Sequence, residues 1–231
     1  MFLRKLIGVL AIAAIVVTIP LVLLLSNLYL FFTPAFLRIE YAKPDFPESP
    51  GFTAEERLRQ AEATLAYLRS SQGVDALRQL EQNGEPLYNV REIVHLADVK
   101  WVMYWAFLAH AVALAIFLLA FIYVLWRADL RAYLPVAAFW GCMALIVPLL
   151  GIGAFAFMNF DLFLTTFHQT FFTGDTWLFP GSDSLIRLFP LPFWIDMLAR
   201  LPMVFAAGEA ILVAIAAYLW PGWKHGGHRE S

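Results

Sequence analysis

An uninterrupted apolar stretch near the middle of the chain decides the fold. Residues 101–126 read WVMYWAFLAHAVALAIFLLAFIYVLW and contain no Asp, Glu, Lys or Arg. A bilayer core about 30 Å thick needs roughly 20 apolar residues of helix to cross it. This stretch therefore predicts a membrane-spanning helix.

Three further stretches of the same character lie on either side of it. No charged residue occurs from Leu6 to Leu37 or from Ala132 to Phe160, and Leu201 to Trp223 is interrupted only by Glu209. The first stretch is longer than the ~7–15 apolar residues of a cleaved signal peptide, so we interpret it as a retained helix. We predict an all-α integral membrane protein with four transmembrane helices and a small helical extracytoplasmic cap.

The predicted organisation follows from these spans and from the basic residues beside them. Three pairs of basic residues fall on one side if the chain crosses four times, and the positive-inside rule makes that side cytoplasmic. The pairs are Arg4 with Lys5, Arg127 with Arg131, and Lys224 with Arg229. The parts are a first transmembrane helix (1–37), a helical cap leading into the second helix (38–100), the second and third transmembrane helices (101–126 and 132–158), an aromatic-rich extracytoplasmic segment (159–200), a fourth transmembrane helix (201–223) and a cytoplasmic tail (224–231).

Composition excludes several classes of protein. Hydrophobic residues make up 61 % of the 231 residues and charged residues 15 %, against roughly 45–50 % and ~25 % in soluble domains. Sixteen basic residues against eighteen acidic ones leave no positive patch for nucleic acid. The single cysteine, Cys142, excludes an intramolecular disulfide and a cysteine-based zinc site.

Capping signals predict helices in the cap. Thr53 and Glu56 form a capping box that opens a helix, which we expect to end at Gly73. A second short helix is predicted over Val74 to Gln82, ending at Asn83-Gly84. The cap is therefore predicted to be helical.

His95 lies on the helix that leads into the second span. Asn89 and Glu92 repeat the capping-box pattern before it, and His95 is six residues, or ~9 Å, before Trp101. Glu92 and Asp98 stand three residues before and after it, where either carboxylate can accept from a ring nitrogen and fix its tautomer. The alternative is an interfacial histidine that only forms hydrogen bonds.

His168 lies in the aromatic segment, on the same predicted side of the membrane as His95. Residues 159–200 contain ten Phe or Trp residues, which either anchor the segment at the membrane surface or line a pocket for a lipid. An imidazole among phenylalanines is costly without a partner, which favours a functional role. Asp161, two helical turns earlier, and Asp183 are candidate orienting carboxylates.

Glu209 is the only carboxylate well inside a predicted span. It can serve proton or ion movement. Alternatively, the protonated side chain bonds across to another helix, with His110 as a candidate partner. A transporter that uses Glu209 is a less favoured hypothesis, because four spans without an inverted repeat lack the usual architecture of transporters.

The sequence lacks the motifs of common hydrolases. It contains no Gly-x-Ser-x-Gly, no His-Glu-x-x-His and no phosphate-binding glycine loop. Two histidines and an aspartate would suit a metal-dependent lipid hydrolase, but no close-spaced ligand pair is present, so we predict no metal site. Acyl chemistry would then need histidine as a base acting on a nucleophile brought by the substrate.

Four runs of sequence in the two extracytoplasmic segments stand out: His95 to Lys100, Phe167 to Phe172, Trp177 to Ile186 and Leu188 to Pro190. Together they resemble a known family, that of the bacterial lipoprotein intramolecular transacylases. The resemblance covers the four-helix layout and four runs of sequence. One departure is Leu191, where an acidic residue commonly follows the Leu-Phe-Pro element.

This resemblance implies an enzyme of the bacterial cytoplasmic membrane, with its active site on the extracytoplasmic face. It implies transfer of the sn-2 acyl chain of a diacylglyceryl-cysteine lipoprotein to the α-amino group of that cysteine, giving lyso-form lipoprotein. The expected partners are diacylated lipoproteins and membrane lipid, and no cofactor is required. The resemblance assigns catalysis to two histidines that match His95 and His168.

We expect His168 to be the base and His95 to stabilise the oxyanion. Rigid aromatic side chains around the two histidines suit an enzyme that must hold one substrate in a reactive geometry. The alternative is a non-enzymatic membrane scaffold whose cap binds a partner. The residues expected to orient or bind the substrate are Asp98, Asp161, Asp183, Phe171, Phe172, Trp177, Phe189 and Trp194.

Overall fold

The structure is a computed structural model that describes residues 2–172 and 174–219, without the side chains of 198–202. Among the described residues, the regular secondary structure is helical apart from one short hairpin. A 3₁₀ turn (Arg131–Tyr133) and a π-helical turn (Ile195–Arg200) join longer elements. The others are α1 (Phe2–Ser26), α2 (Leu28–Phe31), α3 (Pro34–Tyr41), α4 (Ala54–Arg69), α5 (Asp75–Arg78), β1 (Glu81–Gln82), β2 (Glu85–Pro86), α6 (Val90–Trp126), α7 (Leu134–Met158), α8 (Phe160–Phe171), α9 (Ser184–Leu188), α10 (Leu191–Trp194) and α11 (Leu201–Leu219).

Three helical segments of the described chain are long and apolar enough to cross a membrane: Phe2–Phe31, Val90–Trp126 and Arg131–Met158. They correspond to the first three predicted spans. Met203–Leu219 is a shorter apolar helix in the region of the fourth. The end of that predicted span and the predicted tail, residues 220–231, lie outside the described residues. The count of four spans and the orientation stay predictions.

The described residues divide into two compact units. Residues 2–27, 107–157 and 203–219 form the first unit, and residues 28–106 and 158–202 form the second. The first unit has an apolar core that includes Ile15, Val124, Cys142 and Ala206. Gly141 lets α7 approach α1, because a Cβ there would lie 2.9 Å from the Cβ of Ile19.

The first apolar stretch does not continue as one helix to Leu37. α1 ends at Ser26, and α3 begins at Pro34, where Thr33 is the N-cap and its hydroxyl accepts from the amide of Phe36 at 3.2 Å. Proline is favoured at the first position of a helix because it has no N–H to leave unpaired. Pro34 therefore starts a new helix in the second unit.

The helical prediction for the cap is partly right. The Thr53 hydroxyl accepts from the Glu56 amide at 3.1 Å, which confirms the predicted start of α4, but the helix ends at Arg69 rather than Gly73. The helix predicted over Val74 to Gln82 is wrong beyond Arg78, because a hairpin forms there. Its turn holds Asn83 and Gly84 at positive φ (55° and 81°), the geometry that an Asn-Gly hairpin favours.

An ion-paired cluster fastens α3 to the π-helical turn of the second unit. The Nζ of Lys43 donates to Glu40 at 2.6 and 2.7 Å and to Asp196 at 2.6 Å. Both carboxylates are buried. The ammonium thus holds two acidic groups that burial would otherwise penalise.

Candidate active site

A capping box fixes the start of α6, one turn before His95. The amide of Asn89 donates to Oε2 of Glu92 at 2.8 Å, and the amide of Glu92 donates to Oδ1 of Asn89 at 3.1 Å, as predicted. Oε1 of Glu92 accepts from the amide of Leu185 in α9 at 2.7 Å. Both carboxylate oxygens thus bind backbone amides, so Glu92 supports the helix instead of setting the tautomer of His95.

His95 is buried against aromatic rings. Its side chain lies before Trp101, outside the predicted span, and only 6 % of the residue is exposed. Its ring centroid is 4.9 Å from that of Phe172 and 5.2 Å from that of Phe179. Nδ1 is buried without a hydrogen-bond partner among the described residues. Burial, with a smaller contribution from nearby His168, lowers the pKa of His95 to about 4, so the ring is neutral at physiological pH.

His168 is held by its own helix. α8 begins after Asn159, whose side chain accepts from the amide of Leu162 at 3.0 Å. Nδ1 of His168 lies 2.8 Å from the carbonyl oxygen of Leu164. Because a carbonyl only accepts, Nδ1 carries the proton and Nε2 of the neutral ring is left as a proton acceptor. Asp161 was expected to orient this ring, but the Leu164 carbonyl does so instead.

The surroundings of His168 also favour its neutral form. Burial lowers the pKa of His168, and the hydrogen bond to Leu164 opposes part of that effect. The indole of Trp177 stacks on the imidazole at 4.6 Å with an interplanar angle of 23°. A neutral base with a fixed tautomer is therefore present in this segment.

The two imidazoles lie side by side in the second unit. Their ring centroids are 6.2 Å apart, with an interplanar angle of 27°. Phe172 contacts both rings, at 4.9 Å from His95 and 5.5 Å from His168. The convergence predicted from topology is thus present in the structure. One neutral ring with a free acceptor nitrogen beside a second neutral ring can move a proton and donate to an oxyanion.

Two other predicted carboxylates, Asp183 and Asp98, differ in their surroundings. Asp183 forms an ion pair with Arg91 at 2.8 Å instead of binding a histidine. The guanidinium of Arg91 lies 5.4 Å above the ring of Phe179, which itself contacts His95. Asp98 is partly buried, and burial raises its pKa.

Three predicted aromatic residues are not beside the histidines. Phe171 packs on Phe167 at 5.0 Å and is half exposed. Phe189 and Trp194, with ring centroids 5.9 Å apart, line a separate small apolar cavity together with Leu96. Of the predicted aromatic residues, Phe172 and Trp177 therefore contact the imidazoles.

Sequence reasoning missed Phe179 and Arg91. Arg91 is four residues before His95, so the helical repeat placed it on the same face. Phe179 is two residues after Trp177, the spacing that places both side chains on the same face of an extended segment. These spacings are available in the sequence, but neither singles out the pair among the many aromatic and charged residues of the segment.

Two further predictions concern metals and the membrane helices. Within the described part of the chain, no group of three or more His, Cys, Asp or Glu residues is placed to hold a metal ion. In the first unit, Glu209 Oε2 accepts from Asn27 Nδ2 at 3.4 Å, while His110 Nε2 lies 3.0 Å from the hydroxyl of Ser26. Glu209 and His110 thus each contact a residue at the end of the first apolar helix, Asn27 and Ser26 respectively.

Comparison with known proteins identifies a family and a relative. The family model described as lipoprotein intramolecular transacylase Lit matches residues 11–194. An uncharacterised protein of Aquifex aeolicus (strain VF5) is 29 % identical over 195 residues, which cover 84 % of this chain and 85 % of that protein. The region matched by the family model contains His95 and His168.

Solved structures of the membrane-integral lipoprotein intramolecular transacylase Lit from Bacillus cereus share the fold. One, which carries a histidine-to-arginine substitution, has a TM-score of 0.71 at 18 % identity and covers 94 % of this chain and 93 % of that one. Another has a TM-score of 0.66 at 18 % identity, with 94 % and 95 % covered. The chain therefore has the all-α fold of these integral membrane proteins.

Proposed function

The chain belongs to the lipoprotein intramolecular transacylase family, and from that premise we propose that it moves the sn-2 acyl chain of a diacylglyceryl-cysteine lipoprotein to that cysteine's own α-amino group. The product is a lyso-form lipoprotein. The observation that carries the proposal is the pair of neutral imidazoles 6.2 Å apart, of which His95 is buried and His168 half-buried. Both reacting groups belong to one substrate, so the protein supplies proton transfer and positioning.

The first step uses the acceptor nitrogen of His168. An α-amino group has a pKa of about 7.7–8.0, so a sizeable fraction is neutral at physiological pH. The amine nitrogen attacks the sn-2 ester carbonyl carbon, and Nε2 of His168 takes a proton from that nitrogen as the C–N bond forms. The Leu164 carbonyl stabilises the resulting imidazolium, because it accepts from Nδ1 at 2.8 Å.

The second step breaks the ester bond. The carbonyl oxygen becomes an oxyanion, and a neutral N–H of His95 donates to it. The intermediate collapses, the bond to the glyceryl oxygen breaks, and that oxygen takes the proton from His168. An amide and a free sn-2 hydroxyl result, and both histidines return to their neutral forms.

The aromatic rings hold the substrate in position. Phe172 and Trp177 pack against the imidazoles and limit their rotation, and Phe179 contacts His95. Their apolar faces suit the glyceryl group and the first methylenes of the acyl chain. A reactive geometry held by rigid rings lowers the entropy lost in reaching the transition state.

The proposed setting is the bacterial cytoplasmic membrane, crossed four times, with both termini in the cytoplasm. The support is the pattern of basic residues and the position of His95 before the apolar part of α6. The active site then lies at the extracytoplasmic surface, at the level of the ester bonds of a membrane-anchored lipoprotein.

The test is mass spectrometry of a reporter lipoprotein expressed in a host without N-acylating enzymes. With the wild-type chain, we expect N-acyl, S-monoacylglyceryl cysteine at unchanged total mass. With His168→Ala, we expect diacylglyceryl cysteine with a free amine. Membrane insertion of both chains is checked by immunoblotting of membrane fractions.

Two outcomes would contradict the proposal. Conversion by His168→Ala at the wild-type rate would remove the proposed base. A free amine with both chains, properly inserted, would overturn the transacylase and favour the partner-binding scaffold. That scaffold requires the cap and not the histidines, so disruption of the capped helix at Thr53 would abolish its partner binding.

A further inference from the structure

A basic cleft lies in the first unit, where the start of α1 meets the end of α6. Its volume is about 580 Å³, within the range of sites that bind small ligands. The proposed transacylase reaction uses none of the residues that line it. These residues are Arg4, Lys5, Trp126, Arg127, Ala128 and Asp129.

Close packing builds the cleft from two parts of the chain. A Cβ at Gly8 would lie 3.1 Å from Cδ1 of Leu130. Glycine at this position therefore lets the first turns of α1 approach the turn that follows α6. Arg4 and Lys5 lie one turn before Gly8, so this packing brings their side chains beside Arg127.

The cleft carries excess positive charge. Arg127 donates from Nε and Nη2 to the two oxygens of Asp129, at 2.9 and 2.7 Å. Within residues 2–172 and 174–219, Arg4 and Lys5 form no ion pair. The hydrogen bond from Arg127, with a smaller contribution from the charge of Arg4, lowers the pKa of Asp129 to about 2. Three cations thus face a single carboxylate.

The position of the cleft suits a lipid headgroup. α1 and α6 are both long and apolar enough to span a membrane, and the cleft lies at their ends. Trp126, on its rim, is 82 % exposed, and tryptophan is enriched at the membrane–water interface. Leu3 and Leu125, next in sequence to the lining residues Arg4 and Trp126, are also exposed and can contact acyl chains.

We propose that this cleft binds the phosphate of an anionic phospholipid, with Arg4 and Lys5 as the principal contacts. Basic pockets between membrane helices are suited to such headgroups. A free phosphate presents the same chemistry, but it would gain nothing from the exposed apolar side chains at the rim. The acyl chains favour the lipid as the occupant.

The test is native mass spectrometry of the full chain in detergent, titrated with phosphatidylglycerol or phosphatidylcholine. We expect the wild type to bind phosphatidylglycerol more tightly. Each cation removed is expected to weaken this binding about fivefold, hence about 25-fold for Arg4→Gln with Lys5→Gln. The matched control is Arg131→Gln, because Arg131 is exposed at the same end but donates to the Leu125 carbonyl and does not line the cleft.

A second variant, expected to tighten binding instead of weakening it, keeps the test decisive if the double variant inserts poorly. Asp129→Asn removes the carboxylate and releases Arg127, so we expect tighter binding of phosphatidylglycerol. Unchanged binding in both variants, or an equal loss in Arg131→Gln, would overturn the site. Displacement of phosphatidylglycerol by millimolar inorganic phosphate would assign the cleft to free phosphate rather than to lipid.

Discussion

The regions around His95 and His110 differ in what the structure offers a buried imidazole. Both residues lie on α6, and both are more than 90 % buried. His110, in the first unit, lies with Nε2 3.0 Å from the Ser26 hydroxyl. His95, in the second unit, packs against aromatic rings and leaves Nδ1 without a partner among the described residues.

The difference separates a structural histidine from a chemically available one. Buried polar groups are usually hydrogen-bonded, and leaving one unpaired costs about 1–3 kcal/mol. The bond to Ser26 occupies a nitrogen of His110 and links two helices. The unpaired nitrogen of His95 has no such structural use, and a substrate group can still bind there. Four experiments test this difference between the two histidines.

The largest effect is expected from glutamine substitution of His168, with the same substitution of His110 as its control. His168→Gln removes the proposed base, so we expect turnover to fall by about 10²–10⁴-fold. His110→Gln keeps a group that bonds to Ser26, so turnover is expected to stay at the wild-type level. Conversion of the reporter lipoprotein, followed by mass spectrometry over time, measures both. Equal losses would show that His168 acts only through folding.

The pH dependence tests the neutral state of both rings. Burial lowers the pKa of His95 and of His168, so each stays neutral until the pH falls below its lowered pKa. Because both ring pKa values are lowered from the ordinary value, the substrate amine dominates the titration between pH 7.5 and 6.5, and kcat/KM should fall up to tenfold per pH unit. A steeper fall is expected only below pH 6.5. A slope of two already at pH 7 in a pH–rate profile would contradict neutral histidines.

Phe179→Leu tests the aromatic contact beside His95. The change removes the edge contact with His95 and the face beneath Arg91. Aromatic contacts contribute about 0.5–1.5 kcal/mol, so we expect a fall in kcat of roughly two- to tenfold. Phe171→Leu is the matched control, because Phe171 is half exposed and packs on Phe167. Equal changes in kcat in the two variants would contradict a specific role of Phe179 beside His95.

Ser26→Ala should have the smallest effect. Hydrogen bonds between membrane helices contribute about 0.6 kcal/mol on average, so the free energy of unfolding should fall by about that amount. Turnover should not change. Ser26→Thr keeps the hydroxyl and is the control. Thermal unfolding in detergent measures stability, and a loss of turnover without a loss of stability would give His110 a role in the chemistry.

The helices were predictable because their signals are local. Apolar length predicts α6 and α7, and the capping boxes at Thr53 and Asn89 set helix starts that the structure confirms. The break before Pro34 and the hairpin at Asn83-Gly84 also have local signals. Continuous hydrophobicity and helical periodicity conceal these two signals.

The site was predictable only in outline. Topology and family resemblance bring His95 and His168 together, but the orienting acceptor of His168 is a backbone carbonyl, which every residue has. The prediction that Glu92 or Asp183 orients a histidine was wrong for a related reason. Asp183 is taken by Arg91, and Glu92 by the amides of Asn89 and Leu185. Such competition depends on tertiary packing, which spacing along one helix does not contain.

The Lys43 cluster has a consequence for how the chain can change in evolution. Glu40 and Asp196 are buried and share one ammonium. Loss of Lys43 alone would leave two buried carboxylates close together, so a lineage that loses it must also neutralise one of them. We therefore expect these three positions to covary among relatives, although Asp196 is more than 150 residues away from Lys43 along the chain.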